Sequence, residues 1–119
     1  AAALEELRHA LRGEAMPVTD HSETLGYVNT CLAAAIYVFR SSVLRKDVAG
    51  PQLFSEAIHS LAMAAGDADT NAAVAGALLG CALGRKALPE LWLSQLPHRV
   101  WLEKIAEKLV AAMNCHSQG

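Results

Sequence analysis

Basic residues never cluster in this sequence. Its 10 lysines and arginines are scattered among 12 acidic residues, for a net charge of −2. No block is available to follow a phosphate backbone, so nucleic acid is excluded as an expected partner. Charge of either sign is sparse, at 18% of residues. Cysteine is sparse too. Cys31, Cys81 and Cys115 are odd in number, far apart and without a CxxC pair. That argues against a disulfide framework and for reduced thiols in a cytosol-like compartment, so a cytoplasmic location is the expectation. No long apolar run occurs. The stretch "CLAAAIYVF" is far too short to span a bilayer. The opening "AAALEELRHALRGE" is charged and lacks a signal-peptide core. No membrane association is expected.

Apolar residues, by contrast, are abundant, at 53% of 119 residues. One domain or a piece of one fits that length. A chain this small buries a modest fraction of its surface, and excess apolar surface marks an interface. Missing partner surface is therefore expected. The chain opens on Ala rather than Met, as a trimmed N-terminus or a segment of a longer protein would.

Periodicity is helical throughout. Leu4, Leu7 and Leu11 outline a short amphipathic helix, which Gly13 and Pro17 end. "MPVTDHSE" reads as a polar connection. Residues 25–41 are apolar almost all round, as in a buried helix. "RKDVAGP" is a loop, and Pro51 suits the first turn of the next helix, where Phe54, Ile58 and Leu61 share a face. "GDADT" breaks that helix, and 70–84 forms another. "ALPELW" is a turn or short helix, and Pro97 opens the last helix, with Val100, Ile105, Leu109 and Ala112 alternating with charges. No strand is convincing. The fold class expected is all-α, a compact bundle of about five helices.

Gly76, Gly80 and Gly84 recur every fourth residue and so lie along one stripe. Each interior glycine costs roughly 0.5–1 kcal/mol relative to Ala. Close approach of another helix or backbone would offset this.

The most informative stretch is "AGDADTNAAVAG". One reading is structural: Asp and Thr are good N-caps, and carboxylates favour the positive end of a helix. One Asp suffices for that. The other reading is a metal site. Carboxylates and a hydroxyl are hard oxygen ligands for Mg²⁺, Mn²⁺ or Ca²⁺. In a turn, Asp67 and Asp69 can point to one side, with Thr70 adding a ligand and Gly66 giving the turn its freedom. An EF-hand is excluded, because its sixth and twelfth positions would be Ala72 and Leu78 instead of Gly and Glu.

"AGDADTNAAVAGALLGCALG" resembles the C-terminal metal motif of the ADP-ribosylglycohydrolase family, Gly-Gly-Asp-x-Asp-Thr followed by a small-residue helix. The flanks "LGYVNTCLAAAIYVF", "FSEAIHSLAMAAG" and "LPELWLSQL" resemble the segments around that motif. The resemblance covers about residues 22–112. Two departures stand out. Ala65 replaces the motif's first glycine, and the family's N-terminal Thr-Asp-Asp motif, which supplies the other metal ligands, does not occur.

The resemblance implies the C-terminal part of a larger all-α glycohydrolase. Residues 1–21 would be an N-terminal helix and connection, 22–113 the C-terminal segment of the domain, and 114–119 a tail. It implies a two-ion site, usually Mg²⁺ with Mn²⁺ possible, that orients the ribose of an ADP-ribose conjugate while its glycosidic bond is cleaved. Asp67, Asp69 and Thr70 would be ligands and Gly66 the loop-shaping residue. The general acid or base would lie outside this chain, since Glu23, Glu56 and Glu90 form no pairing to replace it. The implied substrate is an ADP-ribose-modified protein or small molecule, and the implied partner a complementary N-terminal half or a second copy.

Tyr27 and Asn29 open the apolar helix and are candidates for a nucleotide pocket, beside the plainer reading of a buried tyrosine with a satisfied hydroxyl. His9, His21, His59, His98 and His116 show no metal spacing. Trp92 and Trp101 read as packing residues. A non-catalytic, crystallin-like or helical interaction module is the rival reading, with the acidic loop serving only as a cap.

Overall fold

The first helix, α1 (Ala2–Arg12), stops where its glycine allows. Gly13 has φ 72°, its N–H bonds the Ala10 carbonyl at 3.0 Å, and the Glu14 N–H bonds the His9 carbonyl at 3.0 Å. This is a Schellman termination, open to glycine because the left-handed backbone carries no Cβ penalty there. Arg40 Nη1 donates to the Leu11 carbonyl at 3.0 Å and satisfies a further terminal acceptor. The buried face of α1 differs from the leucine pattern. Ala10 is fully buried and Leu7 half-buried, whereas Leu4 and Leu11 are exposed. A small residue at the contact lets the neighbouring helix approach.

The computed structural model describes residues 2–21 and 27–116. The expectations for Glu23 and for the helix start at Leu25 lie outside the described residues. Further helices are α2 (Val28–Val43), α3 (Gly50–Met63), α4 (Ala68–Leu83), α5 (Glu90–Gln95) and α6 (Arg99–His116), with one 3-10 turn at Arg85–Ala87. No strand occurs among the described residues, so the all-α expectation holds. The chain divides into two compact units, one through Pro89 and one from Glu90.

In the first unit α2 packs on α1, α3 and α4, and α3 packs on α4. The core joins Ala34, Ala35 and Val38 of α2 to Phe54, Ala57 and Leu61 of α3 and to Ala75 and Leu79 of α4. Alanines at the α2–α4 contact bring the two helices close, and Leu61 and Leu79, both fully buried, fill the space beside them. Truncating either leucine costs about 2–5 kcal/mol. Pro51 lies in the first turn of α3, where its missing N–H has no partner to lose.

Two packing expectations are corrected. The second helix is not buried all round, since Val28 and Leu32 are exposed and Ile36, Phe39 and Val43 only half-buried. A cleft of about 360 Å³ lies along that side, lined by Leu11, Ile36, Phe39 and Val43. The glycine stripe also lacks the close neighbour expected of it. The buried line of α4 is Asn71, Ala75 and Leu79, one residue out of phase with the glycines. A Cβ at Gly76 would meet Ile58 and Phe54 at 3.6 and 3.7 Å, ordinary contact, and one at Gly80 would meet no atom within 4 Å. Gly84 ends the helix at φ 76°.

In the second unit Arg99 ties α5 to α6. Its Nη1 meets Glu90 Oε1 at 2.9 Å and its Nε meets Glu103 Oε1 at 3.3 Å. Pro97 and His98 form a turn before α6 instead of opening it, with His98 at φ 58°. Trp92 is 42% exposed and Trp101 62%, so Trp101 presents most of its ring to the surface. No described helix is long and apolar enough to cross a membrane, and Cys31 and Cys81 are free thiols.

Candidate functional site

The loop between α3 and α4 turns on two consecutive left-handed residues, Ala65 at φ 60° and Gly66 at φ 72°. For Ala65 that conformation costs roughly 1–2 kcal/mol. At Gly66 the requirement is steric as well. A Cβ built there would fall on the Thr19 carbonyl group, so the N-terminal connection passes directly against this glycine. Thr19 is buried, and its hydroxyl donates to the Ala64 carbonyl at 2.8 Å, with the Ala65 carbonyl at 3.3 Å. Ala64 follows the last residue of α3, and its carbonyl is one of the acceptors a helix end leaves unpaired.

Beyond this turn Asp67 occupies the N-cap position of α4. Its backbone carbonyl accepts the Asn71 N–H at 3.0 Å, yet its side chain makes no capping hydrogen bond. Asp69 Oδ1 accepts the Thr70 N–H at 3.0 Å. That bond, and then a side-chain hydrogen bond with Asp67, holds the Asp69 carboxyl below the usual carboxylate range. The two carboxylates stand two residues apart at the N-cap and in the first turn of α4, where a cation beside them would offset the repulsion between like charges.

Asp67 is half-buried, while Asp69, Thr70 and Gly66 are exposed. The buried Cys31 thiol is pushed up, mainly by burial and further by the Asp67 charge. One residue earlier, the Thr30 hydroxyl is buried without a hydrogen-bond partner. Tyr27 stands at the start of α2 and is 47% exposed, so the buried-tyrosine reading is corrected. Asn29 Nδ2 donates to its hydroxyl at 3.3 Å. The structure thus brings Tyr27 to Asn29 and sets Asp67 and Asp69 at the start of α4. Neither the 360 Å³ cleft nor a second of about 290 Å³ between α2 and α3 is lined by any of these four.

Among the described residues, no group of three or more His, Cys, Asp or Glu side chains is placed to hold a metal ion. Asp67 and Asp69 offer a pair of hard oxygen donors, a partial ligand set that suits Mg²⁺ or Mn²⁺ in type. His9 Nδ1 meets Glu14 at 2.7 Å, and His59 is exposed on α3. Glu56 is engaged by Arg45 at 2.7 Å and Glu90 by Arg99. Sequence reasoning missed Thr19, since a threonine in a polar connection carries no signal of a partner 45 residues away.

The ADP-ribosylglycohydrolase family model matches residues 1–118, further in both directions than the motif and its flanks. The chain belongs to the ADP-ribosylglycohydrolase family. Neither the curated proteins nor the solved structures gave a match.

Proposed function

We propose that this chain supplies the C-terminal metal-binding half of a glycohydrolase that cleaves the glycosidic bond of ADP-ribose conjugates. The observation that carries the reading is the loop itself: directly after the left-handed pair Ala65 and Gly66 come Asp67, whose side chain makes no capping hydrogen bond, and, two residues on, the exposed Asp69. A loop used only as a cap would direct its carboxylates to the helix N–H groups; Asp69 does bond the Thr70 N–H, but the Asp67 side chain makes no capping hydrogen bond.

In this reading Asp67 and Asp69 are metal ligands, and Thr70, exposed beside them, adds its oxygen. Divalent ions there supply Lewis acidity and a template for the ribose hydroxyls. The chain's own residues bind and orient. The turn at Ala65 and Gly66 aims both aspartates, and Tyr27 with Asn29 presents a polar edge at the start of α2, the helix whose Cys31 senses Asp67. Proton transfer to the leaving group belongs to residues of the complementary N-terminal half.

The exposed apolar surface supports a missing partner. The Leu32 side of α2 is open, and on α6 Val100, Ile105, Leu109 and Met113 are all exposed. That surface is covered by the complementary half or by a second copy. The test is ADP-ribose release from ADP-ribosyl-arginine and ADP-ribosyl-serine, with Mg²⁺, by the chain alone and with a Thr-Asp-Asp-bearing N-terminal half. Release is expected only from the combination, and only while Asp69 is intact. Turnover by the chain alone contradicts the two-half reading.

A further inference from the structure

We infer that Thr19 is a positioning residue for the acidic loop, acting through the backbone of residues 64–66 to aim Asp67 and Asp69. This rests on the reading of those aspartates as metal ligands. The chain's cheapest route from α3 to α4 would avoid consecutive left-handed residues, one of them an alanine. Something must hold the strained turn, and Thr19 does so in two ways. Its hydroxyl, on a residue only 3% exposed, takes the Ala64 carbonyl and lies 3.3 Å from that of Ala65. Its own carbonyl fills the space beside Gly66 that a side chain would need. The hydroxyl fixes where α3 ends, and the carbonyl fixes how far the loop can swing before Asp67. With neither contact, the loop could relax to right-handed values and splay the carboxylates.

Three forms of the chain test this: wild type, Thr19→Val, which keeps the shape and removes the donor, and Thr19→Ser, which restores the donor. The first readout is amide exchange without metal at Ala65 and Asn71, whose N–H groups bond Ala62 and Asp67 carbonyls. Exchange at both should quicken roughly threefold to tenfold in Thr19→Val, the range for loss of one hydrogen bond. Core amides of α4 should hold their rates, and Thr19→Ser should behave as wild type. The second readout is Mn²⁺ alone, followed by paramagnetic broadening of residues 66–71. Thr19→Val should need severalfold more Mn²⁺ for half-broadening, and Thr19→Ser should not.

Unchanged exchange in Thr19→Val overturns the clamp whatever Mn²⁺ does. A loosened loop with unchanged Mn²⁺ response overturns the positioning role. Wild type that fails to broaden at 66–71 overturns the metal reading itself, and the exchange data still judge the clamp. Should Thr19→Val unfold, the wild-type spectrum decides. A slowly exchanging Thr19 hydroxyl proton with contacts to residues 64–66 is expected, and its absence overturns the proposal.

Discussion

The carbonyl of Thr19 occupies the place where a side chain at residue 66 would have to go. Gly66 is therefore required twice, once for its φ of 72° and once for the backbone that crosses it. Gly66→Ala should lose roughly 2–5 kcal/mol, combining left-handed strain with overpacking. Urea unfolding checks this, and a loss below about 0.5 kcal/mol would show that the connection moves aside freely.

Ala65 carries the same left-handed backbone without the steric demand. Ala65→Gly removes the strain and should stabilise the chain by about 1 kcal/mol, less the extra freedom glycine has when unfolded. Thermal melts of the two forms decide. A lowered midpoint would mean that Ala65 makes contacts worth more than its strain.

Gly80 faces open space, with no atom within 4 Å of a built Cβ. Gly80→Ala should accordingly raise stability by about 0.5–1 kcal/mol through helix propensity. A lowered midpoint in the isolated chain would put a neighbour back against that stripe.

Glu56 accepts hydrogen bonds from Gln52 at 2.8 Å and from Arg45 at 2.7 Å. Its carboxyl is held below the ordinary value, first by Gln52 and then by Arg45. With a depressed folded value, the associated stability is present above the unfolded pKa and is lost as pH falls through the lower, folded one. An NMR titration of Glu56 should therefore show a midpoint below that of a free glutamate. Gln52→Ala and Arg45→Ala should each move it upward, the first by loss of a hydrogen bond and the second by loss of a hydrogen bond and a positive charge. A midpoint that stays put in both variants would contradict the account of Glu56.

Local chemistry was legible in the sequence. Gly13, Pro51 and the break at Gly66 act on their own backbone, so their roles need no knowledge of what lies across the fold. Asp67 and Asp69 stand out in the sequence because their spacing and the small-residue helix after them occur together. Contacts distant in sequence were not. Periodicity places Gly76 and Gly80 on one stripe and says nothing of what faces it, and the structure puts the buried line one residue away, on Ala75 and Leu79. Ala10 was hidden for a related reason: leucines mark an apolar face, but the closest helix contact goes to the smallest residue on it. Thr19 was hidden because its partners are backbone carbonyls 45 and 46 residues away.

Mn²⁺ broadening of the amide spectrum tests most directly whether the acidic loop binds a divalent cation. Substoichiometric Mn²⁺ should broaden residues 66–71 selectively, excess Mg²⁺ should reverse the effect, and Asp69→Asn should abolish it, because that change removes a charged oxygen donor from a hard-cation site. Broadening spread over unrelated acidic side chains such as Glu5 and Glu107, or broadening at 66–71 that survives Asp69→Asn unchanged, would contradict the assignment.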